Sequence, residues 1–202
     1  MAVVERLRLP VEPIDGTDWL DGACRQKLTA PVFNVVHLER LRLEISYPDQ
    51  VEYIASLLAR EPLLSGPTKF ALDKTGVGRA VFDLFTARRL NPIGITITGG
   101  REDTHDDWGG FHVAKVNLVG RLQTLFHTGT LKIAAALEEG PILANELRNF
   151  AATVAENSGN LSYNARSGQH DDLLLATAIS CWTLVGPSHG TYATSELATL
   201  IR

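Results

Sequence analysis

The sequence predicts an α/β domain in which a central mixed β-sheet is flanked by helices. Short apolar segments with strand-like alternation, such as 92–98, are separated by segments with helical spacing of apolar residues, such as 113–128. This order is typical of a sheet whose strands are joined through helices. The chain has 202 residues and is 45% apolar, which is enough for one substantial core, so we expect a single domain over 1–202.

Charge and cysteine content narrow the class of protein. The formal net charge of -4 excludes a uniformly basic nucleic-acid coat, so any contact with DNA must be local. Cys24 and Cys181 are far apart and neither belongs to a Cys-x-x-Cys pair, which argues against a zinc ribbon or a disulfide scaffold. The longest apolar run, 173–185, is too short to cross a bilayer, and the N-terminus lacks the apolar stretch of a signal peptide. We therefore expect a cytoplasmic protein without membrane contact.

The first elements are two strands and a helix. Segments 2–8 and 32–43 are rich in Val, Leu and Phe with partial alternation, which predicts strands. The loop over 9–31 that joins them is long, and such loops in compact domains are usually functional or disordered. A helix is predicted from Asp49 to Arg60, with Asp49 as its N-cap.

A strand, a glycine turn and a helix follow in direct succession. The apolar strand Phe70–Asp73 runs into Thr75-Gly76-Val77-Gly78 and then into a helix with Ala80, Val81, Leu84 and Phe85 on one face. Alternating isoleucines predict a strand over 92–98. Leu118, Leu122 and Leu125 have the spacing of one helix face and predict a helix over 113–128.

The last part of the chain repeats this alternation. A strand at Leu131–Ala134 precedes a helix over 138–156 with Pro141 in its first turn. A strand-like segment, Leu161–Ala165, leads to a final apolar helix that begins at Asp171 and Asp172.

Asp73 is the first candidate site residue. It ends a buried strand just before a glycine turn, where a side chain projects into the crevice that α/β proteins use for ligands. Asp73 could instead cap the next helix. The turn lacks both the Gly-x-Gly-x-x-Gly and the Walker A patterns, and an acid beside it would repel a phosphate unless a divalent cation lay between them. A metal therefore suits Asp73 better than a nucleotide.

A pair of acids at the start of the last helix is the second candidate. In Gly168-Gln169-His170-Asp171-Asp172-Leu173-Leu174 the two carboxylates precede a helix of Leu, Ala and Ile, whose N-terminal dipole favours anions. One acid could be an N-cap and the other a solvated residue of the first turn. The coexistence of this pair with Asp73 favours a metal site.

Together these motifs resemble the nuclease domain of bacteriophage terminase large subunits, which has a ribonuclease H-like fold. In that family a strand-borne acid precedes Thr-Gly-x-Gly and a His-Asp-Asp-Leu run opens the last helix. Four further segments look like the same domain in order and spacing: His37–Leu41, Gly109–Lys115, Gly129–Ile133 and Leu143–Phe150. The resemblance covers nearly the whole chain.

The resemblance implies an activity and its partners. In the family, acids bind two Mg²⁺ or Mn²⁺ ions that activate a water and stabilise the leaving oxygen when concatemeric double-stranded DNA is cut during genome packaging. Asp73 and Asp172 would be primary ligands, with Asp171 as a further or water-mediated ligand, since neighbouring helix residues point in different directions. The implied partners are double-stranded DNA, the terminase ATPase domain, the small terminase subunit and the portal. The protein would be encoded by a phage or prophage and would act in the bacterial cytoplasm.

The resemblance departs from the family at its beginning. The family's first catalytic acid lies on an opening strand just before the segment that 2–6 matches, and no residue precedes Met1 to supply it. The N-terminal ATPase domain is also outside 1–202. Three explanations remain: the chain is a fragment or begins at a late start codon, the nuclease is degenerate, or Asp15 or Asp18 replaces the acid.

These explanations leave two functions of different class. The chain is either a metal-dependent DNA endonuclease or a nuclease-dead ribonuclease H-like module, such as a prophage remnant, that binds DNA or a partner without cutting. A Holliday-junction resolvase or transposase relative would share the fold and the metal chemistry but would leave the terminase-like segments unexplained.

Two further segments of the sequence carry clustered charge. The acids and His105 between Glu102 and Asp107 lie between glycines and favour a solvated loop over a metal site. The segment from Lys74 to Arg101 carries five cations and one acid, and it is a candidate DNA-facing patch. Its Arg88 and Arg89 could instead complement a helix C-terminus. The DNA-binding candidates are Lys74, Arg79 and Lys115.

Overall fold

The computed structural model describes residues 1–8, 30–107, 109–156, 171–186 and 196–201. Several sequence-based predictions lie outside these ranges: the loop over 9–29 with Asp15, Asp18 and Cys24, the strand Leu161–Ala165, and His170.

Eight strands and five helices are assigned in the described part of the chain. The strands are β1 (Ala2–Leu7), β2 (Val32–Leu38), β3 (Thr68–Asp73), β4 (Ile93–Thr98), β5 (Thr104–His105), β6 (Phe111–Ala114), β7 (Leu131–Ile133) and β8 (Glu196–Ile201). The helices are α1 (Tyr47–Leu58), α2 (Gly78–Ala87), α3 (Lys115–His127), α4 (Gly140–Glu156) and α5 (Asp172–Val185). The alternation confirms the predicted α/β class.

The strands form one mixed sheet in the order β5-β6-β4-β3-β8-β1-β2-β7. The pairs β3–β4, β4–β6, β3–β8 and β2–β7 are parallel, whereas β1 is antiparallel to both of its neighbours and β5 to β6. Six strands therefore end at the same edge of the sheet, which we call the carboxyl edge. β3 contributes Asp73 to this edge.

Helices cover both faces of the sheet. Strand β3 shows why, since alternate residues point to opposite faces: Ala71 packs into a core with α3, α4 and α5, whereas Phe70 and Leu72 pack into a second core with α1 and α2. The predicted arrangement of a central sheet with flanking helices is thus present. Within the described ranges, no helix is long and apolar enough to cross a bilayer.

Two predicted boundaries near the first helix are wrong. Strand β2 ends at Leu38 rather than at 43. Helix α1 begins at Tyr47, and its N-cap is Ser46 rather than Asp49, because the Ser46 hydroxyl accepts a hydrogen bond from the Asp49 N–H at 3.3 Å. Pro48 does not prevent this earlier start, since the first turn of a helix needs no backbone donor there.

The predicted helix over 113–128 is wrong at its start. Val113 and Ala114 are the end of strand β6, which pairs with β4, and helix α3 follows at Lys115 without an intervening turn. Because no turn separates the strand from the helix, the buried residues Val113 and Ala114 continue the apolar spacing of the helix although they lie in the strand. Strands β5, β6 and β8 are not predicted from the sequence.

The second core allows a direct test of the packing. Phe85 on α2 is fully buried and meets the Phe70 ring edge to face, with 5.0 Å between centroids. Phe85→Ala should lower the free energy of unfolding by about 3 to 5 kcal/mol, since it removes a large side chain and leaves a cavity. Urea denaturation followed by circular dichroism measures the change.

The neighbouring Leu84→Ala is the matched control. Leu84 lies on the same helix but is 37% exposed, so its truncation should cost less than about 1 kcal/mol. Equal losses from the two variants would contradict the assignment of the α2 faces.

Candidate functional site at the carboxyl edge

Asp73 lies at the end of β3 and is only 8% exposed. Its Oδ1 accepts a hydrogen bond from the Thr75 N–H at 2.8 Å, which closes a turn of the type that aspartate forms two residues ahead of itself. The Thr75 hydroxyl in turn accepts from the Ile97 N–H of β4 at 2.8 Å. The Asp73 carboxylate is therefore held by the turn that follows β3, and that turn is held in place by β4.

Two glycines make this turn possible. Gly76 has a φ of +57°, a conformation that residues with a side chain rarely adopt. A Cβ on Gly78 would lie 2.1 Å from the Asp73 carbonyl oxygen, so only glycine can begin α2 this close to the strand. The Thr-Gly-x-Gly pattern thus has a local structural reason that is independent of any ligand.

The paired acids lie at the start of α5, as predicted. Asp171 precedes the first helical residue, Asp172, and its side chain makes no capping hydrogen bond to its own helix. The Asp171 Oδ2 instead accepts from Lys115 Nζ at 2.9 Å. Lys115 is the first residue of α3, so this ion pair joins the N-terminal ends of two helices.

A cavity of about 500 Å³ lies at the carboxyl edge. Asp73 and Lys115 both line it, and so does Leu175, whose backbone N–H donates to the Asp171 carbonyl one helical turn away. The structure therefore brings Asp73, Lys115 and the first turn of α5 to a single cavity. These residues are 42 or more positions apart in sequence.

Glu146 is a site residue that the sequence analysis missed. It lies on α4, is 8% exposed, and accepts from the Leu174 N–H of α5 at 2.8 Å. Its other carboxylate oxygen accepts from Arg40, which follows strand β2. Glu146 therefore caps the helix that carries the acids, from a different helix. The signal in the sequence was its place in the family-like segment Leu143–Phe150.

The electrostatics of Glu146 follow from its burial. Desolvation raises the pKa of Glu146 above its ordinary value, and the hydrogen bond from Leu174 and the charge of Arg40 offset this only in part. Asp172 is close enough for its negative charge to raise that pKa further. Acids are thus concentrated around the start of α5, where the helix dipole favours them.

The acids suit a divalent cation in kind, since carboxylate oxygens are the ligands that Mg²⁺ and Mn²⁺ prefer. Asp73 lines this cavity, and Asp171 and Asp172 lie at the start of α5, whose Leu175 lines it; these three acids are the residues that would hold such an ion. In the described part of the chain, however, no three Asp, Glu, His or Cys side chains are grouped closely enough to hold a metal.

The predicted DNA-binding residues have different surroundings. Lys74 Nζ lies 4.7 Å from the centroid of the Phe82 ring, and Arg79 is exposed at the start of α2. Arg88 pairs with Glu52 at 2.8 Å, so its charge is partly neutralised. Of the cations in the predicted basic segment, Lys74 and Arg79 are those beside the Asp73 turn.

The acidic segment between Glu102 and Asp107 is mostly exposed, as expected of a solvated loop. Asp103 nevertheless has a structural role, since it accepts from the Ala114 N–H at 3.0 Å and from the Trp182 indole at 3.1 Å. These bonds attach the loop to the beginning of α3 and to α5. Trp182 is buried in the core that α3, α4 and α5 form with the sheet.

The comparisons with known proteins returned nothing: no family model, no curated protein and no solved structure matches the chain. The residues and geometry of the carboxyl edge are therefore the basis for assigning a function.

The role of Glu146 generates a prediction about α5. Glu146→Ala should destabilise the protein by about 2 kcal/mol, since it leaves the Leu174 N–H and Arg40 without their acceptor. Hydrogen exchange measured by mass spectrometry should show faster exchange in the first turn of α5. Arg148→Ala, an exposed position on the same helix, is the control and should change neither quantity appreciably. Unchanged exchange in Glu146→Ala would contradict the capping role.

Proposed function

We propose that this chain is the nuclease domain of a terminase-like DNA packaging enzyme with a ribonuclease H-like fold, which cuts double-stranded DNA in a metal-dependent reaction. The observation that carries the proposal is that Asp73 and Lys115 line one cavity at the carboxyl edge together with Leu175 of α5, and that Lys115 pairs with Asp171 at the start of that helix. Sites of α/β sheets lie at this edge, where strand ends and helix N-termini meet. The order of these motifs along the chain is the order of the resembling family.

The residues around the cavity have distinct roles in this proposal. Asp73, Asp171 and Asp172 would hold two Mg²⁺ or Mn²⁺ ions, which when bound supply Lewis-acid stabilisation of charge on the phosphodiester. Lys115 lines the cavity and would contact a phosphate oxygen of the DNA. Lys74 and Arg79 would contact the neighbouring backbone. Local contacts of this kind suit a protein whose net charge is -4.

The sheet topology determines where an acid on an upstream strand could lie. β1 begins at the carboxyl edge, so a strand joined to Met1 by a short turn would run antiparallel to β1 and end at the same edge as Asp73. Both sides of β1 are already paired, with β2 on one side and β8 on the other. An upstream strand could enter the sheet beside β3 only by displacing β8.

A second function, DNA or partner binding without cleavage, is favoured by two observations. β8 holds the place beside β3, and Lys115 neutralises Asp171 at 2.9 Å. In this alternative the edge would bind DNA or another packaging component, of which the ATPase domain, the small terminase subunit and the portal are the candidates by resemblance. A bacterial cytoplasm is the proposed location for both functions.

Cleavage of supercoiled plasmid with Mn²⁺ tests the proposal. If cleavage requires a further acid beside Asp73, Asp171 and Asp172, as the resemblance implies, the 202-residue chain should cut poorly or not at all. If the upstream reading frame encodes a strand that ends in Asp, the extended chain should cut without sequence preference. Asp73→Asn and Asp172→Asn in the extended chain should each abolish cleavage. Gel electrophoresis of the nicked and linear products is the measurement.

Asp107→Asn is the matched control, since Asp107 is an exposed acid outside the cavity. It should leave cleavage unchanged. Failure of the extended chain to cut would favour the binding function. Robust cutting by the 202-residue chain would show that the upstream acid is dispensable and would direct attention to Asp15 and Asp18.

A further inference from the structure

The cavity at the carboxyl edge has an unusually exposed apolar border. Leu43 is 96% exposed, Val77 65% and Tyr47 45%, and all three line the cavity. Leu43 lies between β2 and α1, Tyr47 is the first residue of α1, and Val77 lies in the turn after Asp73. We call these three residues the apolar rim.

Charged groups lie within the same cavity. Lys115 and Asp73 line it, and so does Arg42, the exposed neighbour of Leu43. Exposed apolar surface is unfavourable in water, and an apolar patch bordered by charges marks a binding site. A ligand that fits the apolar rim and the cations therefore has a flat apolar face joined to an anionic group. A nucleotide has such a face in its base and such a group in its phosphate.

We propose that the apolar rim is a stacking site for an unpaired nucleobase, so that this edge binds single-stranded or locally unpaired nucleic acid in preference to intact duplex. This inference rests on the proposed function of the same site and narrows its substrate to DNA whose strands are locally unpaired at the cut. In a duplex the faces of the bases are covered by their stacked neighbours, and a protein can reach them only after unstacking. Tyr47 stacks on the base, while Lys115 and Arg42 contact the adjoining phosphates.

The size of the cavity agrees with this occupant. At about 500 Å³ it lies in the range of sites that enclose a small organic ligand, roughly 300 to 1,000 Å³. Stacking on an aromatic side chain requires no particular base, since each base has a π-face. Binding should therefore depend on strandedness rather than on sequence.

Fluorescence anisotropy with a labelled oligo-dT and a labelled duplex of equal length tests the proposal. The buffer contains EDTA, so that binding is measured without metal and without cleavage. The wild-type chain should bind oligo-dT more tightly than duplex. Tyr47→Ala should weaken oligo-dT binding by about 5-fold to 100-fold, the range that loss of one stacked base implies, and should leave duplex binding nearly unchanged.

Three comparisons make the result specific. Tyr47→Phe keeps the ring and should retain wild-type affinity. Phe126→Ala removes an aromatic residue that is 47% exposed at the far end of α3, outside the cavity, and should have no effect. Unlabelled oligo-dT should displace the probe far better than dTMP at equal nucleotide concentration. Equal displacement by dTMP would overturn the assignment to a nucleic-acid strand in favour of a free-nucleotide site.

Binding of oligo-dT through Tyr47 and metal-dependent cleavage of DNA are measured separately, so either can fail without the other. Tyr47-dependent binding of oligo-dT supports the stacking site even if no form of the chain cuts DNA. Oligo-dT affinity that is the same in wild type and Tyr47→Ala overturns the stacking site, even if metal-dependent cleavage of duplex is observed, and leaves the apolar rim to a protein partner.

Discussion

The burial of α5 is the constraint on which the site depends. Every residue from Leu173 to Leu184 is buried, between the sheet and helices α3 and α4. A helix that is enclosed in this way has no face for charged side chains, so its acids can lie only at an end. Asp171 and Asp172 occupy the N-terminal end, where unsatisfied N–H groups and the helix dipole stabilise negative charge. Glu146 completes the arrangement by accepting from one of those N–H groups.

Asp73 lies at the same edge of the sheet as the acids of α5, but a different constraint places it there. Strand β3 ends at the carboxyl edge, and the close approach of Gly78 to the Asp73 carbonyl forces the chain into an immediate turn. The acid is therefore held at the edge by backbone geometry, whereas the acids of α5 are held there by burial. Lys115, fixed by the direct passage from β6 into α3, lines the cavity with Asp73 and pairs with Asp171. The edge thus combines acids with one partly buried cation.

The parts of the fold that could be predicted from sequence are those with local signals. The strand before Asp73, its glycine turn, and the start of the last helix at Asp171–Asp172 all follow from patterns within a few residues. Strands β6 and β8 could not be predicted in this way, because their pairing partners lie on distant segments, and β6 also continues the apolar spacing of α3. Glu146 was missed for a related reason. A single acid on a helix looks solvent-exposed until the packing of α5 against α4 is known.

In the proposed function, Asp73 and the acids of α5 bind a divalent cation together. A crystal structure of the chain grown with Mn²⁺, with anomalous difference density measured above the manganese absorption edge, would locate that ion. We expect a peak in the cavity, coordinated by carboxylate oxygens of Asp73 and of Asp171 or Asp172, with Lys115 turned away from Asp171. A peak among the exposed acids between Glu102 and Asp107, with none in the cavity, would contradict this proposal.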